Sequence, residues 1–328
     1  MASSSDPTSA DTPTYSRDEE NAIIRATARY PPEVNDTVIS FGTIELESFA
    51  LSFFTPFGQS PTSDPGPLEA LPLEILRQIL LLLDLETALV LTWVNRRTRR
   101  LVTDTWEYRQ VRENALQCLC AVFRTGYARN TLISAIYSAL VTKQCSLCDS
   151  FGRFFFIPTA RLSCLACLMD GTKSIFRVRP LASICHATGR SMESIRKDVP
   201  ALRTSPGLYH PMRYKYHLKE PQLWAAAEHC SKVLDGIGPF ESGPELLGYM
   251  VSSSIPYLNL TTGEAQPGLS CKGCTAEWYN LFSKEGFLEH FRGCDRAKAL
   301  WASRQGQNDD AVVLGSLSRM GAGDSGLP

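Results

Sequence analysis

Residues 145–167, CSLCDSFGRFFFIPTARLSCLAC, contain two Cys-x2-Cys pairs separated by fifteen residues. Each pair can form a turn that directs two sulfur atoms at one metal ion, and two such turns complete a tetrahedral zinc site. The aromatic segment between the pairs predicts a β-hairpin that returns near Pro158. We therefore predict a four-thiolate zinc site. The alternative is four buried thiols that pack as small apolar groups. The predicted ligands are Cys145, Cys148, Cys164 and Cys167.

A second set of metal-ligating residue types lies near the end of the chain, with the spacing Cys-x2-Cys-x15-His-x3-Cys. A helix over residues 284–301 would place the last two of these residues four positions apart on one face. Two thiolates from a turn, with an imidazole and a thiolate from a helix, form a finger-like tetrahedral site. The alternative is a surface helix beside two core cysteines. The predicted ligands of this second structural zinc ion are Cys271, Cys274, His290 and Cys294.

Composition favours metal ligation over disulfide bonds for the eleven cysteines. The first twenty residues have no basic segment followed by an apolar one, so we expect no secretory signal. The most apolar run, residues 79–94, contains Asp84 and Glu86 and is too short to cross a membrane. We therefore expect a cytoplasmic or nuclear protein without a membrane partner, in which thiols stay reduced.

The net charge of −1 hides an asymmetry along the chain. Residues 1–66 contain ten acidic and three basic residues, a net charge of −7, and the remaining residues contain 24 acidic and 30 basic ones, a net charge of +6. The excess of positive charge is small and dispersed. A dedicated nucleic-acid-binding protein carries a concentrated basic patch, so nucleic acid is an unfavoured partner.

Residues 68–108, LEALPLEILRQILLLLDLETALVLTWVNRRTRRLVTDTWEY, have the apolar spacing of three short helices. Pro72 suits the first turn of the first helix, and Asp84 can cap the second. The third helix has apolar residues on one side and arginines on the other, at positions 96, 97, 99 and 100. Three short helices bury little apolar surface by themselves, so docking against another surface is expected. An ordinary helical subdomain is the alternative.

The order of residues in this segment resembles an F-box, the module that binds the Skp-type adaptor of cullin ubiquitin ligases. The resemblance is carried by Leu-Pro-x-Glu-Ile-Leu, x2-Ile-Leu, Leu-Asp and Val-Asn-Arg-Arg-x-Arg-x-Leu-Val. It departs at Thr98, where many F-boxes have Trp, and at Asn95, where Cys is frequent. The resemblance implies that six residues face the adaptor or support the face that does so: Leu71, Pro72, Ile75, Leu76, Ile79 and Val94.

Residues 68–167 and 271–301 also resemble fungal F-box proteins, in which an F-box is followed by helices, paired Cys-x2-Cys motifs and a late Cys/His cluster. The fold class expected is mainly α with small zinc-stabilised β elements, a three-helix F-box followed by an irregular α+β region. The expected organisation is a disordered acidic arm (1–66), the F-box (67–108), a helical linker region (109–142), a zinc-stabilised substrate-recognition region (143–302) and a disordered tail (303–328).

The function that the resemblance implies is substrate recruitment in a Skp–cullin–F-box ubiquitin ligase, with an unidentified protein substrate. Both predicted zinc sites have four protein ligands and no open position, so they are expected to be structural. GDSG at 323–326 matches a protease nucleophile loop by chance, and other catalytic motifs are absent, so we expect no enzymatic activity. The alternatives are a zinc-finger nucleic-acid-binding protein and a scaffold that acts outside any ligase.

Overall fold

The computed structural model describes residues 15–54, 71–170, 174–209, 216–235, 248–274 and 279–305. The chain divides into two compact units. The smaller unit contains residues up to Arg29, residues 270–277 and residues from Lys284 onward, and the larger unit contains the rest. The tail predicted at 303–328 lies outside the described residues except for 303–305, which are helical.

The first half of the larger unit is a series of short helices, as the apolar spacing predicts. Helix α1 (Arg17–Thr27) belongs to the smaller unit. The helices of the larger unit follow it in chain order: α2 (Thr43–Phe54), α3 (Leu73–Leu81), α4 (Leu85–Val94), α5 (Arg96–Asp104), α6 (Trp106–Asn114), α7 (Leu116–Arg124) and α8 (Ile133–Val141). Since α6 begins at Trp106, the predicted domain boundary at residue 108 falls inside a helix.

Side-chain caps separate the helices of the 71–104 segment. The Asp84 carboxylate accepts a hydrogen bond of 2.8 Å from the backbone N–H of Thr87 at the start of α4. At the start of α5, the Asn95 side chain accepts a bond of 2.8 Å from the backbone N–H of Thr98, whose hydroxyl donates to the carbonyl of Leu91. The two positions at which the sequence departs from the F-box pattern thus form the cap that joins α4 to α5.

The second half of the larger unit contains small antiparallel sheets. The strands and the remaining helices of the described chain are β1 (Ala28–Arg29), β2 (Phe154–Phe156), β3 (Arg161–Ser163), α9 (Leu165–Met169), β4 (Val178–Pro180), α10 (Leu181–Thr188), α11 (Met192–Asp198), β5 (Leu202–Arg203), β6 (Gly207–Tyr209), β7 (Tyr216–Leu218), β8 (Leu223–Ala226), α12 (Ala227–Cys230), β9 (Ser252–Ser254), β10 (Tyr257–Asn259), β11 (Glu264–Gln266), β12 (Ser270–Cys271) and α13 (Lys284–Gly293). Of these, β1, β12 and α13 belong to the smaller unit. The sheet orders are β3-β2-β9 and β4-β8-β5, and the hairpins are β6–β7 and β10–β11. The predicted combination of helices with small β elements is therefore present.

The main core lies around strand β2. All three of its phenylalanines are buried, and the strand pairs with β3 on one side and with β9 on the other. Strand β9 is a run of buried serines, and the hydroxyl of Ser253 donates to the carbonyl of Ile39. The hydroxyl of Ser252 likewise donates to the carbonyl of Gly248. These two bonds satisfy buried hydroxyls and allow a polar strand to lie in the core.

The N-terminal arm that the sequence predicts to be disordered is structured over its described part, residues 15–54. Helix α1 has a capping box, in which the Ser16 hydroxyl accepts from the backbone N–H of Glu19 and the Glu19 carboxylate accepts from the backbone N–H of Ser16. Within the larger unit, the amide of Gln117 bonds to the backbone of Phe41 in both directions, at 3.0 and 2.8 Å. Composition alone suggested disorder because the partners of this segment lie far along the chain. Residues 1–14 and 55–70 lie outside the described residues.

Within the described part of the chain, no helix is both long enough and apolar enough to cross a membrane.

Candidate metal centres

The first predicted ligand set is assembled in the larger unit. The ligand atoms of Cys145, Cys148, Cys164 and Cys167 all lie within 4.8 Å of one another. The Sγ atom of Cys148 lies 3.7 Å from that of Cys164 and 3.5 Å from that of Cys167. A tetrahedral zinc ion with Zn–S bonds of about 2.3 Å holds its sulfurs about 3.8 Å apart, whereas disulfide sulfurs are about 2 Å apart. The set therefore fits a bound zinc ion and does not fit a disulfide.

Local backbone geometry holds this first set in place. The hairpin β2–β3 brings the second cysteine pair back to the first, and the Ser146 backbone N–H donates to the carbonyl of Leu162 at 2.9 Å. Cys164 occupies the N-cap of the short helix α9, and its sulfur accepts from the backbone N–H of Cys167 at 3.4 Å. The sulfur of Cys145 accepts in the same way from Leu147 at 3.5 Å. These N–H donors stabilise negative charge on the sulfurs, which metal ligation requires.

Hydrogen bonds between the thiols of this set shift the pKa values of Cys145 and Cys164 in opposite directions. A hydrogen bond from the Cys164 thiol lowers the pKa of Cys145 to about 4, although burial opposes ionisation. The same bond, together with burial, raises the pKa of Cys164 far above its ordinary value. Hydrogen bonds from its neighbours thus favour the thiolate form of Cys145, and a divalent cation would supply the positive charge that allows the other thiols to ionise.

The second predicted set is assembled in the smaller unit. The Sγ atom of Cys274 lies 3.7 Å from Nε2 of His290 and 3.6 Å from Sγ of Cys294, and Cys271 completes the group. These separations again match a tetrahedral metal ion with one imidazole and three thiolate ligands. All four positions are protein ligands, which is the arrangement of a structural site.

The helix that supplies the last two ligands of the second set is broken, contrary to the continuous helix that the sequence predicts. Helix α13 ends at Gly293, and helical backbone resumes over 295–305. Cys294 lies in the break and caps the second helical stretch. Burial raises the pKa of Cys294, but N–H donation from Ala297 and the thiol of Cys274 outweigh it and lower the pKa. In both sites, therefore, one ligand cysteine lies at a helix N-cap: Cys164 in the first site and Cys294 in the second.

Sequence reasoning missed the glycine that allows the second site to close. A Cβ atom at Gly273 would lie 2.8 Å from Cβ of Arg296 and 3.0 Å from the backbone nitrogen of Ala297. Only glycine lets the Cys271–Cys274 turn approach the helical stretch this closely. The Cys-x-Gly-Cys order at residues 271–274 is the sequence signal from which this glycine could have been identified.

Sequence reasoning also missed the N-terminal support of the second site. Strand β1 pairs with β12, and the backbone N–H of Lys272 donates to the carbonyl of Thr27 at 2.8 Å. The ammonium of Lys272 donates to the carbonyls of Arg25 and Ala26, both at 3.1 Å, at the C-terminal end of α1. The capping-box motif Ser16-x-x-Glu19 before an apolar pair was a readable helix signal.

The remaining cysteines, at positions 118, 120, 185 and 230, lie outside both ligand sets, and no third group of metal-ligating side chains occurs in the described ranges. Comparison with protein-family models, with curated proteins and with solved structures finds no match to this chain.

Of the six residues carried over from the F-box resemblance, five are exposed and one is buried. Ile75 and Ile79 are exposed, as are Leu71 and Pro72 before the helix and Val94 at the end of α4. Leu76 is buried. Four further apolar residues of this segment that sequence reasoning did not select are also exposed: Leu73, Leu82, Val90 and Trp93.

Proposed function

We propose that the chain is a substrate-recruiting F-box adaptor of a Skp–cullin–F-box ubiquitin ligase, with two structural zinc ions. The observation that carries the proposal is a set of exposed apolar side chains on α3 and α4 and beside them, here called the α3–α4 face. Its residues are Leu71, Leu73, Ile75, Ile79, Leu82, Val90, Trp93 and Val94. Eight of the sixteen large apolar side chains that are exposed among the described residues lie between positions 71 and 94. Leu73 is 68% exposed and Leu82 is 72% exposed.

This concentration of apolar surface favours a protein partner. Scattered exposed apolar residues are normal on a soluble protein, but a contiguous set is typical of an interaction site. A helical face that presents residues at positions 71, 75, 79 and 82 supplies the spacing with which apolar side chains enter a groove of a partner. The partner implied by the F-box resemblance is the Skp-type adaptor, which links the chain to a cullin.

The zinc sites would contribute stability to the region that presents the substrate. Metal ligation folds short segments that bury too little apolar surface to be stable alone. The role of the chain in ubiquitin transfer would be to hold a substrate close to the charged enzyme, which raises the effective concentration without bond chemistry of its own.

The test is co-purification of the full-length chain with a Skp-type adaptor and a cullin. Replacement of Ile79→Glu with Leu82→Glu should abolish adaptor capture, because it places two charges in the centre of the α3–α4 face. The replaced side chains are exposed, so the fold should be retained. Leu260→Glu, at a side chain 57% exposed elsewhere in the larger unit, is the matched control. The double variant Leu71→Ala with Pro72→Ala should also weaken capture.

Equal capture by the wild-type chain and the Ile79/Leu82 variant would contradict the proposal. Capture of the adaptor without cullin would instead favour a scaffold that acts outside a ligase.

A further inference from the structure

A helix–turn–helix lies in the second half of the larger unit. Helices α10 and α11 are joined by three residues, Gly189, Arg190 and Ser191. Gly189 has a φ of 65°, the left-handed conformation that ends α10. The Ser191 hydroxyl accepts a hydrogen bond of 3.2 Å from the backbone N–H of Ser194 and begins α11. A turn of this length that contains a glycine is typical of the helix–turn–helix motif.

The charges on α11 are divided between the turn and solvent. Arg190 donates to the Ser194 hydroxyl at 2.8 Å and forms an ion pair with Asp198, so the charge of this aspartate is neutralised within the motif. Arg196 and Lys197 are exposed on the same helix. The contact of Lys197 with Glu193, at 4.0 Å between two exposed side chains, is weak. The two cations of α11 can therefore bind an anionic partner at little cost.

The three-stranded sheet β4-β8-β5 supports the motif. Successive side chains of a strand point to opposite faces of its sheet. On β8, Trp224 packs into the main core, as do Val178 of β4 and Leu202 of β5, whereas Ala225 packs against α10 and α11. The members of this second, smaller core are Leu181, Ile184, Ile195, Val199, Ala225 and Cys230. The helices thus cover one face of the sheet, and the side of α11 away from the sheet is left to solvent.

A long β-hairpin follows α11 directly. Strand β5 pairs with β8, and β6 pairs with β7 further along the same two arms. Two bonds between Thr204 and Gln222, at 2.8 and 2.9 Å, connect the two parts. Arg203 and Lys219 are exposed on the hairpin. Arg203 is six residues from Lys197, so the two lie at most about 21 Å apart. The cations of α11 and of the hairpin can therefore contact one ligand.

The positive charge of the chain is concentrated in this part of the molecule. Residues 177–226 contain nine basic and three acidic residues, a net charge of +6, whereas the rest of residues 67–328 contains 21 of each. The helix–turn–helix and its hairpin thus account for the whole positive excess that follows the acidic N-terminal segment. The whole-chain charge, from which nucleic acid is an unfavoured partner, does not reveal this concentration.

The exposed surface of this part favours phosphate groups over a protein partner. Within the described ranges 174–209 and 216–235, Leu208 is the one large apolar side chain that is exposed. Protein interfaces depend on buried apolar and aromatic anchors, which this surface lacks. A basic, mainly polar surface is suited to the backbone of a nucleic acid. The major groove of duplex DNA admits an α-helix, whereas that of duplex RNA is too narrow.

We propose that α10, α11 and the hairpin formed by β5, β6, β7 and β8 bind duplex DNA. Helix α11 enters the major groove, as the second helix of a helix–turn–helix does. Arg196 and Lys197 of α11 and Arg203 and Lys219 of the hairpin contact the phosphate backbone. This activity goes beyond the proposed function and does not depend on it.

The experiment measures binding of the full-length chain to a fluorescently labelled DNA duplex of mixed sequence over a series of salt concentrations. Two variants are compared with the wild-type chain, Arg196→Gln with Lys197→Gln and Arg203→Gln with Lys219→Gln. Each should weaken binding roughly tenfold at low salt and reduce the slope of log affinity against log salt by about two, because two phosphate contacts are removed. Thermal unfolding and zinc content check that the fold is retained.

The control is Arg100→Gln with Arg129→Gln. It removes the same charge from two exposed ion pairs elsewhere in the larger unit and should leave DNA binding unchanged. Two further measurements test the position of α11. Addition of DNA should slow hydrogen exchange in α11 and in the hairpin, and an RNA duplex of the same sequence should bind more weakly than the DNA.

Five results would overturn the inference. Without DNA binding by the wild-type chain at low salt the unit has another role, and binding of polyglutamate in its place would identify an acidic protein as the partner. Equal loss in both variants and the control would indicate a general effect of charge. Loss in the control alone would assign the contacts to the region of α5. Loss in the hairpin variant alone, or equal binding of the RNA duplex, would exclude α11 from the groove. Capture of the Skp-type adaptor is measured separately, so the proposed function stands or fails independently.

Discussion

The two metal centres have the same chemistry but differ in how their supporting elements are distributed along the chain. In the four-cysteine centre, the ligands and the hairpin β2–β3 that connects them all lie within residues 145–167. In the Cys3His centre, the ligands lie within residues 271–294, but β12 pairs with β1 across a separation of 241 residues, as the bond from Ser270 to Arg29 shows. A local motif therefore determines the first centre, and a long-range contact completes the second.

Because of this difference, the second centre should affect segments that lie far from its ligands in the sequence. Because Lys272 bonds to the end of α1 and β12 pairs with β1, a metal ion at the second centre should order both ends of the described chain. The first centre should order the hairpin β2–β3, the strand β9 that pairs with β2, and α9.

Removal of one ligand from each centre should separate the two roles. Cys148→Ser and Cys274→Ser should each reduce the zinc content of the full-length chain from two ions to one, because each centre needs all four ligands. The expected loss of folding free energy is large, since structural zinc binding contributes about 10 kcal/mol or more to folding. Elemental analysis measures the zinc content, and hydrogen exchange locates the unfolded segment.

The contrast predicts that Cys274→Ser loses hydrogen-exchange protection in α1, whereas Cys148→Ser keeps it. Protection of α1 that survives in Cys274→Ser would show that the N-terminal helix does not depend on the second centre. A chain that contains no zinc and keeps its fold in a chelator would contradict both centres.

Enlargement of the glycine that lets the second centre close should destabilise it strongly. Gly273→Ala places a Cβ atom 2.8 Å from Arg296 and close to backbone atoms that cannot move easily. Overpacking of this kind costs about 1–3 kcal/mol. The zinc affinity of the second centre should fall, as measured by chelator competition.

Gly293→Ala is the matched control for that variant. No atom lies within 4 Å of the added Cβ, and alanine favours the helix by about 1 kcal/mol over glycine. A similar loss of affinity in both variants would show that close approach at Gly273 is not the cause.

Loss of the Lys272 side chain should weaken the attachment of α1 while the metal site is retained. Lys272→Met removes two hydrogen bonds to the carbonyls of Arg25 and Ala26, which should cost about 1–2 kcal/mol. Burial, with a contribution from Arg304, lowers the pKa of Lys272, so part of this cost is offset by the relief of desolvation. Hydrogen exchange in α1 should accelerate with unchanged zinc content. A fall in zinc content would mean that Lys272 supports the ligands directly.

The smallest expected effect is that of the cap of α1. Ser16→Ala removes the hydroxyl that accepts from Glu19 and should cost about 1 kcal/mol. Ser191→Ala, which removes the equivalent cap of α11 in the larger unit, is the comparison. Only Ser16→Ala should accelerate exchange in α1, as amide exchange in each variant would show. Equal acceleration in both would indicate a general loss of stability.

The two ligand sets and the helical segment could be predicted from the sequence alone. Cys-x2-Cys turns and the order of apolar residues over 71–104 are short-range patterns, and short-range geometry follows from them because the interacting groups are close in the chain. All eight predicted ligands are brought together within their two sets. The apolar spacing did not separate Leu76, which is buried, from Ile75 and Ile79, which are exposed, because all three fit the same helical pattern.

The surroundings of these motifs depend on long-range contacts that the sequence pattern does not show. The pairing of β2 with β9, the pairing of β1 with β12, and the pairing of β4 with β8 depend on residues that meet from distant positions. From its local sequence, a strand of serines is not expected in a core. An acidic N-terminal segment is likewise not expected to be ordered. They are structured here because partners far along the chain supply the hydrogen bonds and the packing, and no local pattern encodes those partners.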